Sequence, residues 1–141
     1  TTNIFLQIKD IRTKDCIYID SKSTIQDAYD ILKEHKIGQI PIVSFGKKIM
    51  GIIDKKMILN LLMDDLENSK NILEKKLEDL YLEQLITADP QTDIRKVAKV
   101  MIDFKLHAVP IVEENDILIG IVSKTDIIKA VSNIPQFQLW S

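Results

Sequence analysis

The sequence predicts a mixed α/β fold of the α+β kind: two pseudo-symmetric strand–helix–strand–strand–helix units packed sheet to sheet. Three observations lead there. Pro41-Ile42-Val43 recurs 69 positions later as Pro110-Ile111-Val112, and Gly51-Ile52 recurs at the same offset as Gly120-Ile121. Lys55 then meets Lys124, Ile58 meets Ile127 and Asp20 meets Asp89, with no gap needed from Ile8 to Ile58. Chance apolar periodicity does not align a proline, a glycine and a helix-start lysine together. Third, a unit of roughly 50–60 residues is too small to bury its own sheet and helices, so two copies face to face share one core.

Each copy reads in the same order. A short apolar segment comes first, Cys16–Ile19 and Leu85–Ala88. A helix-start signal follows, Ser23 or Thr24 in one copy and Thr92 or Asp93 in the other. A helical pattern then follows, in which Ile25, Ala28, Ile31, Leu32 and His35, against Ile94, Val97, Ala98, Met101 and Phe104, recur at spacings of three and four. A strand ending in Pro-Ile-Val leads through a polar turn (Phe45-Gly46-Lys47, Glu114-Asn115-Asp116) to a second apolar strand. These are Ile49–Ile53 and Leu118–Val122, close enough to pair as hairpins. A second helix starts at Lys55 and at Lys124. Residues 8–62 and 77–132 are thus the two units, joined by a helical linker at 63–76. The stretch from Asp64 to Glu78 reads as a solvated linker helix. Residues 133–141 form a tail with the chain's single tryptophan, Trp140, and Pro135 as a helix stop.

Composition narrows the function. Hydrophobic residues are 45% and charged residues 28%, ordinary for a globular chain, and 6% aromatic content makes the core aliphatic. A net charge of −2 offers no general attraction to phosphate backbones, so nucleic acid is not expected. No apolar run is long enough to span a bilayer, so no membrane association is expected. The lone Cys16 sits in an apolar run and reads as a buried small hydrophobe, which makes the cytoplasm the default compartment. Cys16, His35 and His107 have no spacing that suggests a nucleophile–base pair or a metal site. No catalysis, metal or cofactor is expected.

The chemistry concentrates in Gly120-Ile121-Val122-Ser123-Lys124-Thr125-Asp126, where a strand runs into a helix start. Unpaired backbone N–H groups and the helix dipole favour an anion there. Ser123 adds a hydroxyl, and an ionised Asp126 accepts hydrogen bonds from vicinal hydroxyls. Gly120 lets the backbone pass close to a ligand. The same residues also make a near capping box that needs no ligand. Copy one has Asp54 and Met57 at the places of Ser123 and Asp126. Asp54 caps a helix well, but it puts negative charge where a phosphate would sit, and Met57 accepts no hydroxyl. One intact and one degenerate site follow.

Taken together, these residues resemble a pair of CBS domains, a Bateman module. The resemblance is carried by Ile40-Pro41-Ile42-Val43 and Val109-Pro110-Ile111-Val112, and by Gly51 to Lys55 and Gly120 to Lys124. It runs from Ile8 to Val131. The family's nucleotide motif, glycine, two apolar residues, Ser or Thr, any two and Asp, is matched in full by Gly120–Asp126. The resemblance implies a regulatory module that binds an adenosine-containing effector such as AMP, ADP, ATP or S-adenosylmethionine in the cleft between the copies. It implies that each site is completed by the other copy: Gly38, Gln39 and Ile40 beside the base, Ile17 behind, and Ser23 nearby. The degenerate site would join Asp54 and Met57 to His107 and Ala108. Gly38 also reads as a helix-terminating glycine after Ile37. The resemblance further implies a homodimer and a regulated protein partner. The alternative is a ligand-free interaction module in which Ser123 and Asp126 only cap a helix.

Overall fold

A computed structural model describes residues 7–11, 16–80, 82 and 85–132. The tail from 133 onward, including Pro135 and Trp140, lies outside the described residues. The chain divides into two compact units. One is Ile17–Leu85; the other joins the described residues among the first 16 to those from Ile86 on.

In the Ile17–Leu85 unit, strand β1 (Ile19–Asp20) runs parallel to β2 (Gln39–Ser44), and β2 pairs antiparallel with β3 (Lys48–Asp54). Between β1 and β2 lies helix α1 (Ile25–His35). Thr24 is its N-cap: Asp27 N–H donates to Thr24 Oγ at 3.1 Å, and Thr24 N–H donates to Asp27 Oδ2 at 3.0 Å. This reciprocal box satisfies two orphan donors of the first turn. The helix stops at Lys36, which is left-handed (φ 53°, ψ 44°), and Ile37 N–H donates back to Leu32 O. The stop is therefore two residues before Gly38, whose φ is not left-handed and whose place would leave room for a side chain. The reading of Gly38 as the helix terminator is corrected. Lys105 ends α4 (Ile94–Phe104) in the same left-handed way (φ 56°).

The other unit repeats this plan. Ala88 bridges in parallel to Ile111, and β4 (Ala108–Glu113) pairs antiparallel with β5 (Ile117–Ser123). The two hairpins match closely. Each has a register shift, after Ile42 and after Ile111, and each turns through left-handed residues: Gly46 and Lys47, then Asn115 and Asp116. Asp93 caps α4 through Arg95 N–H, and the Arg95 guanidinium pairs with the same carboxylate at 2.7 Å. The Arg95 side-chain hydrogen bond leads the causes that hold the Asp93 carboxyl below its ordinary range. Its contribution to stability is present at neutral pH and is lost as pH falls through that lowered value.

Apolar alternation on the strands and one stripe on each helix build the cores. In the first unit, Ile25, Ala28, Leu32, Ile40, Ile42 and Ile53 are fully buried. In the other, Val109, Ile111 and Val122 pack with Ile94, Val97 and Met101. Two expectations are corrected. Phe104, placed in the helical stripe, is 62% exposed, as the last residue of α4. Cys16, read as buried, is only half-buried.

The segment after helix α2 (Lys55–Asp64) departs most from expectation. It is not one solvated helix. Asp65 leaves helical geometry (φ −155°, ψ 72°), and its carboxylate accepts from the Asn68 side-chain amide at 2.8 Å. Short polar side chains of this kind offer the backbone an alternative to the helix ladder. A 3-10 turn at Leu66–Asn68, helix α3 (Ser69–Leu73) and a 3-10 turn at Leu77–Asp79 follow. Ile72 and Leu77 are buried in the first unit's core.

The Leu77 turn has a counterpart at Ile8–Asp10, and the repeat offset relates the two. Leu77 N–H donates to Ser23 O and Glu78 N–H to Ser21 O; likewise Ile8 N–H donates to Thr92 O and Lys9 N–H to Pro90 O. Thr24 bridges Lys76 as Asp93 bridges Gln7. Each compact unit is therefore one copy's body closed by the other copy's leading turn. Leu77 and Ile8 are both fully buried plugs.

Candidate functional site

Strand β5 ends at Ser123, and helix α5 (Lys124–Ser132) begins at the next residue. The β4–β5 ladder fixes this junction: Ala108 lies opposite Ser123, Gly120 opposite Ile111, and Lys124 N–H donates to His107 O at 3.0 Å. The turn can therefore not slide along the sheet. Ser123 and Asp126 are both half-buried, Lys124 and Thr125 are exposed, Ile121 is half-buried and Gly120 is buried.

The two polar residues form a closed box. Asp126 N–H donates to Ser123 Oγ at 3.1 Å, and Ser123 N–H donates to Asp126 Oδ2 at 2.8 Å. The helix-cap reading is thus realised in this structure. It uses one carboxylate oxygen; Asp126 Oδ1 has no hydrogen bond among the described residues. The same chemistry recurs at Thr24 and Asp27, a second Ser/Thr-x-x-Asp box that the reading of motifs passed over although its signal was in the sequence.

Copy one closes the equivalent helix with less. Asp54 Oδ1 accepts from Met57 N–H at 2.8 Å, with no return bond from the fourth residue. Met57 packs against the first unit's core. A carboxylate at the fourth position is therefore not needed to start this helix. Met57 is there for packing, and Asp54 as a cap. Gly51, the counterpart of Gly120, receives the Leu82 side chain: a Cβ added there would overlap Leu82 Cδ1. In copy one the space over the glycine is taken by the chain itself.

The remaining predicted residues fall as follows. Ile17 and Ser23 are half-buried, Gly38 is exposed, Gln39 is half-buried and Ile40 is fully buried, all in the Ile17–Leu85 unit. Within that unit Gln39 lies opposite Asp54 in the β2–β3 ladder. His107 is exposed and Ala108 buried, beside the Ser123 turn in their own unit. Among the described residues no cluster of His, Cys, Asp or Glu could hold a metal ion, and no helix is long and apolar enough to cross a membrane.

Comparison with known proteins adds an independent measure. A family model for the CBS domain matches residues 8–64 and 77–133. The solved CBS domain pair of protein MJ0100, in complex with 5-methylthioadenosine and S-adenosyl-L-methionine, is 30% identical. It superposes with a TM-score of 0.76, covering 89% of this chain and 98% of that one. The uncharacterised protein MJ1426 of Methanocaldococcus jannaschii is 27% identical over 88% of this chain and 90% of its own length. The L-aspartate semialdehyde sulfurtransferase of the same organism is 31% identical over 85% of this chain but only 22% of its own length. Other curated relatives are likewise longer: the chain spans 44%, 24% and 25% of three of them.

Proposed function

The chain belongs to the CBS domain family, and we propose that it is a non-catalytic regulatory module that binds an adenosine-type ligand at the Gly120–Asp126 turn. The observation that carries this reading is the unequal treatment of two matched helix starts. Copy one caps its helix with Asp54 alone, whereas copy two keeps a half-buried carboxylate with one oxygen unbonded. That oxygen suits the two hydroxyls of a ribose. The MJ0100 pair, which holds two adenosine compounds, supports the choice of ligand class. The cap and the ligand site coexist, because Oδ2 serves one and Oδ1 the other. The matches to between 22% and 44% of longer proteins support a role as the regulatory part of a larger assembly, with a regulated protein partner.

The test is a thermal-shift panel of AMP, ADP, ATP and S-adenosylmethionine. One member at about 100 times its dissociation constant raises apparent stability by roughly 2.7 kcal/mol. A flat panel favours the second reading, a ligand-free interaction module in which Ser123 and Asp126 only cap the helix. The observation on that side is the box of the same kind at Thr24 and Asp27, which starts α1 by capping alone at an exposed position.

A homodimer is part of the proposal. Helices α4 and α5 pack on each other and leave Ile102 77%, Phe104 62% and Ile128 63% exposed. Apolar side chains on adjacent helices are a common means of pairing two copies. Light scattering at micromolar concentration is expected to give twice the chain mass. A mass of 16.2 kDa rules the dimer out.

A further inference from the structure

A pocket of about 310 Å³ lies wholly within the unit that contains the chain from Ile86 on, between the 86–89 segment, helix α4 and strand β4. That volume is at the bottom of the roughly 300–1,000 Å³ range of ligand pockets, so its occupant is small. Val97, Val100, Val109 and Val112 supply apolar wall. Two charged residues of opposite sign, Asp89 and Lys96, complete the lining on which the argument rests.

Neither charge is settled by the fold. Asp89 Oδ1 accepts both local bonds, from Gln91 N–H at 2.8 Å and from the Thr92 hydroxyl at 3.3 Å; Oδ2 has none among the described residues. Lys96 is the third residue of α4, where the helix dipole disfavours a cation. Its repeat counterpart, Asp27, has the opposite charge and closes a capping box. The ion pairs among the described residues use Asp93 with Arg95 and Lys99 with Asp103, leaving Lys96 outside them. The helix does not require a lysine at this place, and the turn is held by one oxygen of Asp89.

We infer that this pocket binds a free branched-chain aliphatic amino acid. The ligand carboxylate pairs with Lys96 beside the N-terminus of α4. The ligand ammonium is accepted by Asp89 Oδ2, and the aliphatic side chain lies against the valines. None of the residues of the Gly120–Asp126 turn lines this pocket, so it is a second input, separate from the Asp126 turn.

Isothermal titration of the whole chain with L-leucine tests this. One saturable site per chain is expected. 4-Methylvalerate, which lacks the ammonium, and isoamylamine, which lacks the carboxylate, are expected to bind at least about tenfold more weakly, the loss of one charge-assisted hydrogen bond. Lys96→Glu, at an exposed position, and Asp89→Asn, which keeps the turn bonds, are each expected to weaken leucine by a similar factor. Asp126→Asn is expected to leave it unchanged. Absence of saturable heat with leucine up to tens of millimolar overturns the inference. So does equal binding of all three compounds, or leucine binding indifferent to both Lys96→Glu and Asp89→Asn.

Discussion

Leu77→Ala is expected to destabilise the chain by about 2–5 kcal/mol, the range for emptying a buried leucine site. Leu77 is fully buried and plugs the core built by Ile25, Ala28 and Leu32. Its turn is also held by two backbone bonds, to Ser23 O and Ser21 O at 2.8 Å each, so the surroundings have little freedom to collapse into the gap. Leu66→Ala is the control. Leu66 lies eleven residues earlier in the same connecting segment and is 60% exposed, so its truncation should stay within about 0.5 kcal/mol. Urea midpoints at constant slope give both values. If the segment were a solvated linker, the two variants would behave alike, and equal midpoints would refute the packing described above. Ile8→Ala, at the matching plug of the other unit, is expected to resemble Leu77→Ala.

The repeat made most elements legible. Matching the proline, the glycine and the lysine of each copy placed both hairpins and both pairs of helices; the first-helix caps were narrowed to Ser23 or Thr24 and to Thr92 or Asp93, and the structure selects Thr24 and Asp93. An internal alignment gives correspondence, however, and not contact. Ile8 and Leu77 are correctly equivalent in the sequence, but nothing in it says that each closes the other copy. The linker misled for a local reason. Leu62, Leu66, Leu73, Leu77 and Leu80 have helical spacing, yet Asp65 and Asn68 bond to each other and break the ladder. Phe104 joins the helical stripe by spacing alone. Its counterpart His35, polar and exposed at the end of α1, was a signal that this position faces water. The Thr24–Asp27 box was equally available. The chain writes the same kind of cap twice, at Thr24–Asp27 and at Ser123–Asp126.

That second box makes the sharpest test of the site. Asp126→Asn is expected to lower affinity for the adenosine compound that binds best by about tenfold to hundredfold. It removes the charge that holds ribose hydroxyls, and hydrogen bonds to a charged group are worth roughly 1.5–3 kcal/mol. The cap should survive, because an asparagine carbonyl oxygen can still accept the Ser123 N–H. The ligand-free melting point should then reflect only the weakened interaction with the helix dipole, roughly 0.3–1 kcal/mol. Asp27→Asn repeats the same chemical change in the same kind of box, at the start of α1 instead of α5. Its cost in stability should be similar, and its effect on affinity nil. Calorimetric dissociation constants and ligand-free melts of the two variants therefore separate capping from binding within one molecule. A pair that shifts both quantities in parallel, or that leaves affinity untouched in Asp126→Asn, would reduce Ser123 and Asp126 to the end of a helix.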